Sequence, residues 1–170
     1  MRRIRYAVAT SLDGYIAGPK GEADWIIMDP DIDFNAIFKQ FDALLVGRRT
    51  FEGMAGYGDG TMPGMKTFVL SRTLLQSDYP KVTIVGEKWR ETLTTLCKQP
   101  GKDIWLFGGG ELFRSLAEVN LVDTVELAVV PVLLGGGIPL LPPPANRIKL
   151  KLTGHKIYKT GVVSLEYTVQ

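Results

Sequence analysis

Reactive side chains are scarce in this sequence. One cysteine, Cys97, excludes an internal disulfide and fits a reducing compartment. One histidine, His155, stands in an alternating stretch near the end and reads as an ordinary strand residue. A Ser-His-Asp triad would have to use it, and a zinc site would need several His or Cys ligands at set spacing. The formal net charge is only +2, too small for a nucleic-acid surface. The cluster Arg2, Arg3 and Arg5 reads as a short solvated start. No apolar run reaches a membrane span, since VELAVVPVLL is interrupted by Glu126 and Pro131. The opening MRRIRYAVATSLDGYIA is basic, then apolar, but its alternation and early Asp13-Gly14 turn describe a first strand rather than a signal peptide. These shortages predict a cytoplasmic protein with no metal site and no nucleic-acid or membrane partner. They leave reactions in which a cofactor supplies the chemistry.

What is present is a core. Hydrophobic residues make up 45% of 170 residues, enough for one domain over 1–170. Residues 3 to 11 read as a strand ended by the turn LDG. FNAIFKQF, 34 to 41, puts Phe34, Ile37, Phe38 and Phe41 at helical spacing behind Asp33 as N-cap. ALLV at 43 to 46 is a short continuous apolar run, as a doubly covered strand shows. GRRTFEGM then starts a short helix. Strands follow at 66–71 and 82–86, a helix at 87–98, the strand DIWLF, the helix GELFRSLAEV and the strand VDTVELAVVPVLL. The last forty residues alternate and form an antiparallel pair around Gly161. This order predicts an α/β sandwich with a mainly parallel sheet, helices on both faces and an antiparallel edge.

In such a sheet, ligands bind beyond the carboxyl ends of the strands. Three loops qualify. VGRRTF places Gly47, Arg48, Arg49 and Thr50 at a helix start, where free N–H groups and planar guanidinium donors attract phosphate. VLSRT sends Ser71 and Arg72 off a strand together. WLFGGGELF runs from a strand through Gly108, Gly109 and Gly110 into a helix. Each has a plainer account: surface charge, ordinary turn chemistry, or close strand–helix packing. Together they describe an extended anionic ligand gripped at two or three phosphate points. The usual dinucleotide fingerprint is not there, because Phe113 occupies the place of its third glycine, and no Gly-Lys-Ser/Thr of a P-loop follows. The second triplet, Gly135 to Gly137, precedes no helix and reads as a turn or a subunit contact. Residues 53 to 64 are rich enough in glycine to predict a mobile loop near the site.

The ordered set SLDGYIA, DALLVGRRTFE, FVLSRT, LFGGGELFRSL and LVDTVELAVVPVLLGGGIPLL resembles the dihydrofolate reductase superfamily over nearly the whole chain. It is most similar to the branch holding the reductase domain of the bifunctional riboflavin-biosynthesis deaminase–reductase. That resemblance implies a three-layer α/β sandwich with an eight-stranded sheet, NADPH as hydride donor, and a small heterocyclic substrate: a pterin, or a ribosylamino-pyrimidine. It implies that Gly47 to Thr50 hold cofactor phosphates and that Ser71 and Arg72 lie near the 2′-phosphate. It further implies that Gly108, Gly109, Gly110, Glu111 and Leu112 form the turn under pyrophosphate and nicotinamide, with Ala9 and Ile16 on the nicotinamide side. Asp31 falls near the family's proton-donating acid, although Asp29 and Asp33 stand beside it. The accompanying zinc deaminase domain is absent from these residues, so a stand-alone reductase or a relative with another substrate is expected. A homodimer is expected too; a nucleotide-binding protein without turnover is the alternative.

Overall fold

The computed structural model describes residues 1–170. Ten strands and four helices follow the chain as β1 (Ile4–Ser11), β2 (Tyr15–Ala17), α1 (Phe34–Phe38), β3 (Phe41–Gly47), α2 (Arg48–Ala55), β4 (Lys66–Leu70), β5 (Thr83–Val85), α3 (Trp89–Lys98), β6 (Asp103–Gly108), α4 (Gly110–Ala117), β7 (Thr124–Val130), β8 (Ile138–Pro139), β9 (Leu150–Ile157) and β10 (Val163–Val169). Eight strands make one sheet in the order β5-β4-β3-β6-β1-β7-β10-β9, and β2 pairs with β8 apart from it. From β5 to β7 neighbours are parallel, while β10 runs antiparallel to both β7 and β9. No helix is long and apolar enough to cross a membrane.

Two cores account for this layering. Alternate residues of the central strands point to opposite faces. Ala43, Leu45, Ile104, Leu106, Ile4, Tyr6 and Val125 meet Leu93, Leu96, Leu112, Phe113 and Leu116 of α3 and α4. Leu44, Val46, Val69 and Trp105 meet Phe51 of α2 and the partly buried Ile37 and Phe38 of α1. Burial on both faces is why β3 reads as an unbroken apolar run. Tyr6 stacks on Phe113 with ring centroids 4.1 Å apart, fixing α4 over β1.

Three expectations shift. The first helix ends at Phe38, and Phe41 begins β3, where its ring lies 5.6 Å from that of Trp105. Stacking in the core outweighs a helical spacing that would have left the ring one turn further along α1. The strand expected over 122–134 runs only from Thr124 to Val130, and Pro131, which has no N–H, cannot continue the ladder. Residues 53 to 55 belong to α2, and Asp59 anchors the loop beyond that helix by accepting from Thr61 and Lys81.

The crossovers from β3 to β4 and from β6 to β7 leave in opposite directions across the sheet, so β3 and β6 flank a switch point. Beyond their carboxyl ends α2 and α4 start on opposite faces, the position at which sheets of this kind take a ligand.

Candidate functional site

Register lines the three glycine- and arginine-bearing loops up along one edge. Gly47 pairs with Leu70, which sets Ser71 and Arg72 beside Arg48 and Arg49. Val46 pairs with Gly108, which sets Gly47 beside Gly109. Tyr6 pairs with Leu106, so Ala9 lies at the level of Gly109 on the next strand. Across β4, β3, β6 and β1 this row runs about 14 Å at the usual strand spacing.

The two helices that start on this row have no side-chain cap. Gly47 is the N-cap of α2 and Gly109 that of α4, and neither start is closed by a side-chain hydrogen bond. Their first-turn N–H groups therefore have no side-chain acceptor and can serve as donors to a ligand, reinforced by the positive ends of two dipoles. Arg49 and Arg72 are exposed and meet no acceptor, whereas Arg48 is 3.1 Å from Glu52 one turn on. Thr50, in the first turn of α2, borders the glycine turn: a Cβ added to Gly108 or Gly109 would lie 3.6 or 3.5 Å from its Oγ1 and meet no residue but Thr50. Bare backbone, two uncapped helix starts and two free guanidinium groups make a donor set suited to a ligand with several phosphates.

Other expected contacts take more structural positions. Ser71 Oγ accepts from the N–H groups of Thr73 and Leu74 and so closes its own turn. Gly110 faces the segment at 139–142, where an added Cβ would lie 2.5 Å from the Pro139 carbonyl oxygen. Leu112 is buried in the core with α4's other apolar residues, while Glu111 is exposed in the first turn. What Gly110 and Leu112 can offer a ligand is backbone N–H. Ala9 and Ile16 are half-buried, on β1 and β2.

The loop after β1 is held in place by a contact that sequence spacing does not reveal. Asp13 accepts from Ser11 Oγ (2.6 Å), Leu134 N (3.1 Å) and Gly135 N (2.8 Å). The Ser11 hydroxyl and these amides hold its carboxyl below the ordinary range. The triplet at 135–137 is thus the turn that receives Asp13, with φ +69 at Gly135 and +145 at Gly137. Gly137 also passes so close to the Ala17 carbonyl that no Cβ fits.

The three aspartates before α1 divide their tasks. Asp33 Oδ1 accepts from Ala36 N at 2.9 Å and caps α1. Asp29 is 2% exposed and accepts from Thr160 Oγ1 (2.6 Å), Thr160 N (3.3 Å) and Asp31 N (2.8 Å). It ties this loop to the β9–β10 turn. Asp31 is exposed, and its carboxylate has no partner. The Thr160 hydroxyl holds the Asp29 carboxyl below its ordinary value. A depressed folded-state value stabilises above the unfolded value of about 4, and that contribution is lost as pH falls through the folded one. Asp29→Asn is therefore expected to lower the Tm at neutral pH and to converge with the wild type below about pH 4. Parallel Tm curves down to acid would contradict this.

Comparison with known proteins supplies the family. Residues 2–164 match the RibD C-terminal domain. The uncharacterized protein YyaP of Bacillus subtilis is 36% identical over 98% of this chain and 94% of its own. Dihydrofolate reductase type 1 of Escherichia coli is 32% identical over 85% of each chain. A crystal structure of a Shewanella sp. PV-4 protein assigned to riboflavin biosynthesis superposes with a TM-score of 0.83, at 27% identity over 100% of this chain and 99% of that one. The sheet order, the two uncapped helix starts and these matches agree: the chain belongs to the RibD C-terminal domain family, whose members are reductases built on the dihydrofolate reductase-like sheet.

Proposed function

We propose that this protein is an NADPH-dependent reductase that transfers hydride to a small heterocycle, either a pterin or a pyrimidine resembling 5-amino-6-(5-phosphoribosylamino)uracil, the latter linking it to riboflavin biosynthesis. One observation carries the reading: the order of groups along the sheet edge is the order of parts in a dinucleotide phosphate. Arg72 beyond β4 suits a 2′-phosphate, the helix starts at Gly47 and Gly109 suit the pyrophosphate, and Ala9 on β1 leaves room for the nicotinamide. Ala7, Ala9 and Ala128 lie on the face of α1 and α2, where small side chains leave space for a second flat ring beside Phe38. Bound there, NADPH supplies the hydride; the protein's share is alignment of the two rings and exclusion of water. The first-turn amides of α2 and α4 would hold the anionic tail, and Asp31, exposed just ahead of α1, would serve as proton donor.

The test is NADPH oxidation, followed by absorbance, against dihydrofolate, dihydropterins and the phosphoribosylamino-pyrimidine. Oxidation with one of them is expected. NADPH bound without oxidation across the panel would point instead to a nucleotide-binding protein, and no NADPH binding would sink both readings. Arg72→Ala is expected to weaken NADPH by about tenfold to 100-fold, the worth of one charge-assisted hydrogen-bond pair, and to leave NADH nearly unchanged. Equal losses for the two nucleotides in a titration would remove Arg72 from the 2′-phosphate.

A further inference from the structure

The layer between the sheet and α3 thins at the amino ends of the strands. α3 ends at Lys98, and Pro100, two residues beyond, cannot continue it. Beside that end, the first residue β3 turns to this face is Ala43, a small one. What remains is a cavity of about 470 Å³, within the roughly 300–1,000 Å³ of small-molecule sites. Ala43 and Phe68 line it from the sheet, and Met65, Leu96 and Pro100 from the segments around it.

One charged group is built into this apolar lining. The Arg2 side chain is only 7% exposed. Its Nε donates to the Lys102 carbonyl oxygen and its Nη2 to Asp42 Oδ1, whereas Nη1 donates to nothing in the chain. The acceptors nearby are engaged. Asp42 Oδ2 accepts from Lys102 N at 3.0 Å, the Leu96 carbonyl from Gln99 N and the Cys97 carbonyl from Arg2 N. Buried polar groups are hydrogen-bonded as a rule, so a guanidinium this enclosed has donors left for an incoming acceptor. Lys66, exposed in the same lining and in no ion pair, adds a positive charge that nothing balances.

We propose that this cavity is a second ligand site, for a monocarboxylate that carries an apolar body. Chemistry selects the class. The free guanidinium donors and the Lys66 ammonium suit one carboxylate, and the apolar lining suits its carbon skeleton. A polyphosphate finds too little charge, because Asp42 already pairs with Arg2. The site is separate from the nucleotide edge. Ala43 and Lys66 pair near the start of β3 and β4, and Gly47 and Leu70 pair at their ends, about 13 Å further along the strands. The inference therefore does not depend on what the reductase site binds.

Decanoate is the probe, used below its micelle concentration. Titration calorimetry on the full chain is expected to show saturable binding with a dissociation constant on the order of 100 µM. In two-dimensional amide NMR spectra, shifts are expected at residues 64–68 and 96–100 and not at 47–50 or 108–112. Decanol, with the same body and no charge, is expected to bind about tenfold more weakly or worse. Lys66→Glu alters an exposed side chain and leaves the Arg2–Asp42 pair in place, and it is expected to weaken decanoate by about tenfold. Arg2→Lys keeps the charge and loses the free Nη1, with a similar loss expected; Lys66→Glu decides the matter where Arg2→Lys does not fold. Absence of saturable binding would overturn the proposal. So would shifts confined to the nucleotide edge, decanol binding as tightly as decanoate, or undiminished binding in Lys66→Glu.

Discussion

Gly110→Ala is expected to lower the unfolding free energy by about 3 kcal/mol, read as a fall in the urea midpoint at unchanged m-value. The reason is local and steric. A Cβ at this position would lie 2.5 Å from the Pro139 carbonyl oxygen, 2.8 Å from Pro142 Cδ and 3.2 Å from the Leu140 carbonyl oxygen. Two of the three obstacles are main chain, so no rotamer change relieves them. Either α4 retreats, or the segment at 139–142 does. Retreat of α4 would loosen the stack of Phe113 on Tyr6 and move the uncapped helix start at Gly109. Retreat of the segment would disturb the three proline carbonyls, of Pro142, Pro143 and Pro144, that accept from Arg114. Gly136→Ala supplies the control. Nothing lies within 4 Å of its added Cβ, and its stability is expected to stay within about 0.5 kcal/mol of wild type. Gly109→Ala separates structure from binding, because its Cβ would meet only Thr50 Oγ1, at 3.5 Å. That variant is expected to fold and to bind NADPH less tightly, the methyl group standing where the pyrophosphate is proposed to approach. Equal stability of the Gly110 and Gly136 variants would show that the packing at 139–142 yields easily.

These two triplets show what a sequence can carry. Context distinguished them: one joins a strand to a helix, and the other does not. The strands of the main sheet were legible for the same reason, since burial on one or two faces leaves a period or an unbroken apolar run. The rest depends on partners far along the chain. That Gly110 abuts Pro139, or that Gly135 receives Asp13, stems from register and not from local pattern. The same holds for Arg5, whose guanidinium leaves the solvated start expected of it to grip both carboxylate oxygens of Glu126 at 2.7 Å. β2 and β8, three and two residues long, are too short to show any period. Phe41 was misplaced because its spacing fits a helix, and only the position of Trp105 decides otherwise.

Asp31→Asn is expected to lower turnover about 100-fold or more while leaving NADPH affinity unchanged. Elimination among neighbours supports the choice. MDPDIDF offers three carboxylates, and two have structural partners: Asp33 the Ala36 amide, Asp29 the Thr160 hydroxyl. Asp31 alone keeps its oxygens free, and the amide it donates to Asp29 Oδ1, at 2.8 Å, fixes its backbone just ahead of α1. We propose that this carboxylate reaches the face holding Ala7, Ala9 and Ala128, where the second ring is proposed to lie. An exposed donor is reprotonated from solvent after each turnover, which suits a step that consumes one proton with each hydride. The two neighbours predict different phenotypes. Asp33→Ala should cost about 1 kcal/mol through its lost cap, and Asp29→Asn should alter the acid limb of stability; neither should abolish turnover in folded protein. Measuring kcat, NADPH affinity and Tm for all three variants separates the roles. If Asp31→Asn turns over at the wild-type rate, the proton comes from another donor or from water, and Asp31 is a surface residue.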